Sequence, residues 1–176
     1  ATPLRVRSDD GCQQVSFSVL RRDGVMVILG PSSTAVPAVL HWGTDLGELS
    51  ENDLTELRRA AIPAVPHSSV DVPRWLTLAP GSDDAWQGTP ALALHRNGSV
   101  QYPRWGDVAV RADDFRCEVE ASDSELGIAW SIELSMEIGG SLRVQQSVRN
   151  VSGGPLTVDG VVTLMPLPDS ATELLD

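Results

Sequence analysis

Three adjacent carboxylate pairs, Asp9-Asp10, Asp83-Asp84 and Asp113-Asp114, are the first residues whose types could carry chemistry, among 24 acidic side chains in all. Two carboxyl groups held close together on rigid elements can serve as a nucleophile and an acid/base. Each of these pairs lies in a turn-like stretch, where Asp is favoured because its side chain hydrogen-bonds to nearby backbone. A solvated loop role is therefore expected for each. His41, His67 and His95 could supply a base that titrates near neutral pH, but no serine or cysteine nucleophile motif accompanies them. His41 and His95 fall within apolar runs and read as structural. The sequence contains no GxSxG, HExxH, GxxxxGK[ST] or GxGxxG segment, so the usual arrangements for hydrolysis, zinc chemistry and nucleotide binding have no anchor. Cys12 and Cys117 stand alone without Cys/His spacing; they read as reduced thiols, at least partly buried, and no metal or cofactor is expected.

Tryptophan is the one compositional hint of ligand binding, with five Trp against one Tyr and two Phe. Trp42 and Trp130 occupy strand-like runs and are expected in the core. Trp75, Trp86 and Trp105 lie in Pro- and Gly-rich connections, where a large aromatic is either pinned under a loop or presented outward.

The elements that must position these residues are mostly strands. Val15, Phe17 and Val19 alternate with Ser16 and Ser18, the period of a half-buried strand from Gln14 to Leu20. Asp23-Gly24 supplies a hairpin turn, and Val25 to Leu29 follows as a more buried strand. The apolar run Val36 to Trp42 contains Pro37, which removes a ladder donor and predicts an edge position or a late entry into the sheet. Ser50-Glu51-Asn52-Asp53 has the form of a capping box and, with Leu54 and Leu57 on one face, predicts one short helix. From Ile62 to Pro90 five prolines interrupt any periodicity, which predicts a long functional loop contributing little to the core. Further strands are read at 91–95, 108–111, 116–121, 126–138, 142–149 and 156–167, with glycine turns between the last three. The fold class is therefore all-β, an antiparallel two-sheet sandwich with one short helix and a long Pro-rich loop. At 176 residues and 41% apolar composition, without repeat or linker, a single domain is expected.

A net charge of −11 repels phosphate backbones and anionic membranes, so neither nucleic acid nor membrane is expected as a partner. No stretch approaches the roughly 18 apolar residues of a membrane span, and Ala1-Thr2-Pro3-Leu4-Arg5 lacks the layout of a signal peptide. All 13 basic residues are Arg, which fits GC-rich bacterial coding, and a cytoplasmic location is expected.

Several segments in order carry a resemblance. Phe17 to Gly24, followed by Leu40-His41-Trp42-Gly43-Thr44-Asp45-Leu46-Gly47, resembles the opening of the α-galactosidases of glycoside hydrolase family thirty-six. Trp86 to Leu92 with His95-Arg96-Asn97-Gly98 is similar to the Gly-x-Pro and His-Arg-x-Gly segment of actinobacterial-type members, and Tyr102-Pro103-Arg104-Trp105 stands in the place of their Pro-Arg-aromatic. Leu142 to Asn150, Leu164 to Pro168 and Glu173 to Asp176 look like the end of the family's N-terminal domain. In two respects the chain departs from the pattern. The Asp-Phe-Arg-x-Pro segment of many members is here Gln87-Gly88-Thr89-Pro90, without the charged pair, and the family's catalytic aspartates belong to a (β/α)₈ barrel expected beyond Asp176.

The resemblance implies that residues 1–176 form an accessory supersandwich domain with no catalytic residue of its own. In the parent enzyme it would pack on the barrel, support a homo-oligomer and bring the loop 63–90 toward an α-galactoside; Trp75, Asp83, Asp84 and Trp86 are the candidate substrate-binding residues. Retaining hydrolysis needs two carboxyl groups about 5 Å apart, which no pair here is expected to provide. A free-standing carbohydrate-binding module would instead need its Trp side chains coplanar on one exposed face. An aldose mutarotase would need a His and a Glu on one sheet face, for which His95 and Glu133 are available.

Overall fold

A computed structural model describes residues 17–32, 34–62 and 75–166. Ten strands and one α-helix follow one another: β1 (Ser18–Arg22), β2 (Val25–Gly30), β3 (Ala38–Thr44), α1 (Glu51–Ala60), β4 (Leu92–Arg96), β5 (Ser99–Gln101), β6 (Asp107–Ala112), β7 (Arg116–Asp123), β8 (Ile128–Met136), β9 (Leu142–Asn150) and β10 (Thr157–Val161). The all-β antiparallel reading with one short helix is met. Hydrogen bonding divides the strands among three sheets rather than two, in the orders β1-β2-β3, β10-β4-β5 and β6-β7-β8-β9.

The four-stranded sheet is a meander built on β8, whose residues alternate between buried and half-buried from end to end. Ile128, Trp130, Ile132, Leu134 and Met136 point into the core with Cys117, Val119 and Ala121 of β7, while Glu118, Glu120 and Glu133 occupy the opposite face with Arg111 and Arg116 as partners. Leu20, Val27 and Leu29 of the first sheet and Leu92 and Leu94 of β4 join that same cluster. One core therefore serves all three sheets. Its Cys117 is a fully buried thiol whose pKa burial pushes up to about 11. Cys12 and His67 lie outside the described residues.

Strand β2 is covered on both faces, which is why Val25 to Leu29 reads as a continuous apolar run. Its second face carries Met26 and Ile28, and these meet Leu54 of α1 together with Phe17, Val19, Leu40, Leu49 and Leu57. The helix starts where the sequence marks it: the Ser50 hydroxyl accepts from the Asp53 amide at 3.2 Å, and the Asp53 carboxylate accepts from the Ser50 amide at 2.8 Å. Strand β3 begins directly after Pro37 and lies at the edge of its sheet. Beyond that edge, Val39 N donates to Leu76 O at 2.9 Å and Leu78 N to Pro37 O at 3.0 Å. Thr77, Leu78, Ala79 and Pro80 are buried there. The described part of the Pro-rich segment thus belongs to the fold, a correction to the expectation that it contributes little. Backbone pairing to β3 supplies the order that side-chain periodicity lacks.

Two hairpin tips lock the first sheet onto the third. Asp23 and Gly24 both adopt positive φ, as the β1–β2 turn requires, and the Asp23 carboxylate accepts from the Gly139 amide at 2.7 Å. Arg22 donates to Met136 O at 2.9 Å. Gly140 sits at φ +78, and a Cβ there would approach Val25 Cγ2 to 2.7 Å. Gly140→Ala therefore meets both left-handed strain and a packed neighbour, and about 1–3 kcal/mol of stability should be lost. Urea unfolding checks this: the midpoint should fall with an unchanged m-value, and an unchanged midpoint would show that the two tips are not locked.

Candidate functional site

Three segments, joined by Asp159 of β10, border a recess of about 310 Å³. The first runs from Ala79 through a single 3-10 turn at Ser82–Asp84, fixed from behind by the buried pair Thr77 and Asp84, whose hydroxyl and carboxylate meet at 2.5 Å. The second is the β4–β5 hairpin, with Asn97 and Gly98 both at positive φ in its turn. The third is Tyr102 to Trp105. Asp123 holds this last segment by accepting from the Arg104 amide at 2.8 Å with one oxygen and the Leu126 amide at 2.9 Å with the other.

Trp105 is half-buried, with its ring centroid 5.7 Å from that of Trp130 in a tilted arrangement, and it forms one wall of the recess. Tyr102 stands at the mouth, 63% exposed. Leu92, Leu94, Val100 and Pro103 make much of the remaining surface apolar. Two carboxylates, Asp83 and Asp159, are the charged side chains of the lining. Asp159 is paired with His95 Nδ1 at 2.6 Å. Asp83 has no ion-pair partner among the described residues, and burial, with Asp84 adding to it, holds its carboxyl above the ordinary value of 3.8; the backbone amides of Asp84 and Trp105 pull less strongly the other way.

Of the four residues singled out from the sequence, only Asp83 reaches this recess. Asp84 is 4% exposed and points back to Thr77, so the solvated role expected for it does not hold. Its other oxygen is buried without a protein partner. Trp86 is half-buried and folds over its own loop, donating to Thr89 O at 2.9 Å with Gly88 beneath the ring. Trp75 is not among the lining residues; its ring lies 4.7 Å from the Arg58 guanidinium, and Arg58 also donates to Pro31 O at 2.8 Å. Asp113 caps a turn as expected, accepting from the amides of Phe115 and Arg116 at 2.9 Å, and the pair Asp9-Asp10 lies outside the described residues. His41 is half-buried, with Nε2 3.0 Å from Thr44 O. Glu133 pairs with Arg116 on the outer face of the meander, in a different sheet from His95, so the two do not form a common site. Among the described residues no group of three or more His, Cys, Asp or Glu could hold a metal ion, and no helix is long and apolar enough to cross a membrane.

Sequence reasoning missed Tyr102, Gln101 and Asp159 as lining residues. The Asn97-Gly98 dipeptide was the available signal for the hairpin that brings Gln101 and Tyr102 in; nothing local announced Asp159, which arrives through the pairing of β10 with β4.

Comparison with protein families gives a match to the Glycosyl hydrolase family 36 N-terminal domain over residues 35–176. The chain belongs to this family. No curated protein and no solved structure matches it. Membership makes it a non-catalytic domain of a glycoside hydrolase, one that accompanies a catalytic domain in the full enzyme. The segments that carried the resemblance have structural work in this family 36 domain. Asp45 accepts from the Gly47 amide at 2.8 Å and from Arg21 at 2.9 Å, and these contacts, the Gly47 amide first, hold its carboxyl below the usual range. Arg96 donates to the carbonyls of Leu126, Gly154 and Pro155 and to Asn150 Oδ1, each at 3.0 Å, and so ties β4 to the end of the meander.

The state of Asp83 has a measurable consequence. Because its folded pKa is raised, the native chain holds more protons than the unfolded chain between pH 3.8 and that raised value, and unfolding free energy falls as pH rises through this window. Asp83→Asn cannot ionise and escapes the loss. Urea melts of both proteins should show the variant gaining on the parent as pH goes from about 4 toward neutrality. A difference independent of pH would mean that Asp83 is not held in this way.

Proposed function

We propose that the chain is the N-terminal accessory domain of a bacterial, cytoplasmic α-galactosidase, an enzyme that removes terminal α-galactosyl residues with retention. Its role is to support the catalytic barrel and the homo-oligomer, with the loop around Asp83 and Trp86 directed toward the substrate pocket. Residues 1–176 act as one such domain in this reading. The observation that carries it is the family match over residues 35–176; the segments Leu40 to Gly47 and Trp86 to Gly98 add the α-galactosidase specificity by resemblance.

The disposition of the acidic residues supports a non-catalytic part. Retaining hydrolysis requires two free carboxyl groups about 5 Å apart. Asp84, Asp113, Asp123, Glu120 and Glu133 are instead engaged with Thr77, turn amides, the Arg104 amide, Arg111 and Arg116 respectively. A platform-type sugar-binding module has less support, because only Trp105 and Trp130 come together and Trp130 is buried.

The purified chain should not turn over an aryl α-galactoside above the buffer rate, whereas an enzyme carrying this domain with its barrel should. Repurified chain that retains activity would refute the non-catalytic role. Preference of the two-domain enzyme for another glycoside would refute the galactosyl specificity. In that enzyme Trp86→Ala should raise KM for the galactoside, and unchanged constants would remove this loop from the substrate pocket.

A further inference from the structure

The recess between Asp83, Trp105 and the β4–β5 hairpin combines apolar walls, two aromatic rings and a carboxylate with no ion-pair partner among the described residues, and no Arg or His stands among its described lining residues. The half-buried Asp83 carboxylate accepts from the Asp84 amide at 3.1 Å, which stabilises its charge only in part and leaves a site that a cation would complete. The only other charged side chain in the lining, Asp159, already has His95. Asp84, the remaining acid close by, raises the burden on Asp83 rather than relieving it. A phosphate or carboxylate ligand is repelled, and a neutral sugar would leave the charge unpaired. A planar guanidinium meets every feature at once: it can pair with Asp83, lie against the Tyr102 or Trp105 ring, and bury its methylene stem along Leu92, Leu94 and Pro103. At about 310 Å³ the space is at the small end of ligand pockets, suited to one long side chain.

We propose that this recess seats an arginine side chain presented by the catalytic domain that accompanies this domain in the enzyme, so that Asp83 is the electrostatic anchor of the interdomain contact. The partner follows from charge complementarity and from membership in a family of N-terminal domains; the apolar mouth formed by Tyr102 and Val100, 63% and 58% exposed, is surface that such a contact covers. The identity of the partner rests on the reading of the chain as one domain of a larger glycosidase. The recess and its guanidinium chemistry do not.

The test uses a change of sign. In the isolated chain at pH 7, Asp83→Asn removes an uncompensated charge and should raise the melting temperature; in the enzyme that contains both domains the same substitution removes an ion pair and should lower it. A rise in both proteins would overturn the proposal, even if the enzyme hydrolyses α-galactosides as expected. On the isolated chain, N-acetyl-arginine methylamide at millimolar concentration should shift the Trp105 indole N–H resonance, identified by its loss in Trp105→Phe. The neutral citrulline counterpart should not shift it, and Asp83→Asn should weaken the response about tenfold, the worth of one charge-assisted hydrogen bond. No response to the arginine probe, an equal response to citrulline, or a response to methyl α-galactoside instead would each overturn the guanidinium assignment.

Discussion

Trp130 is the residue on which the remainder of this molecule depends. It is the third residue of β8, 2% exposed, and a buried indole must both fill its volume and satisfy its N–H. Gln146 on the neighbouring β9 accepts that proton at 2.9 Å, and the same amide then donates to Val162 O at 3.1 Å and Thr163 Oγ1 at 2.7 Å. One polar chain thereby connects the meander to the segment that leaves β10. On its other side Trp130 supports Trp105, which forms the wall of the recess. The largest side chain of the core thus sets the position of the site as well as the spacing of the sheets.

A sheet needs an apolar face covered by another layer, and here the two three-stranded sheets share the apolar face of the four-stranded one. Specific polar ties fix their relative placement: Arg96 for the β10-β4-β5 sheet, and Asp23 with Arg22 for the β1-β2-β3 sheet. The β10-β4-β5 sheet keeps the more open surface, with Val100, Val158 and Val161 all exposed. The recess lies beside this sheet, where the core is least closed. A domain that works beside a catalytic partner has reason to leave such a surface available.

Much of the fold was legible because it rests on local rules. The alternation of Ile128 to Met136, the Asp23-Gly24 turn and the Ser50/Asp53 capping box each follow from side-chain period or turn chemistry within a few residues. Strand β5 escaped because three residues with one apolar side chain give no period, although Asn97-Gly98 before it marks a hairpin. The order along Thr77 and Leu78 was hidden by surrounding prolines, since it comes from main-chain pairing to β3. The division into three sheets depends on β10 returning to β4 from more than 60 residues away, a choice that local pattern does not encode. Of the four candidate residues named from the sequence, Asp83 is the one that lines the recess. Whether Asp84, Trp75 and Trp86 face a ligand or their own loop is decided by packing partners elsewhere in the chain, among them Thr77, Arg58 and Gly88.

A shared core that includes Trp130 holds all three sheets, and with them the recess. Equilibrium unfolding of the purified chain in urea, followed in parallel by tryptophan fluorescence and far-ultraviolet circular dichroism, tests it most directly. Coincident curves with one midpoint are expected, the mark of a cooperative two-state transition. Separate midpoints, with tryptophan fluorescence lost before the strand signal, would contradict it.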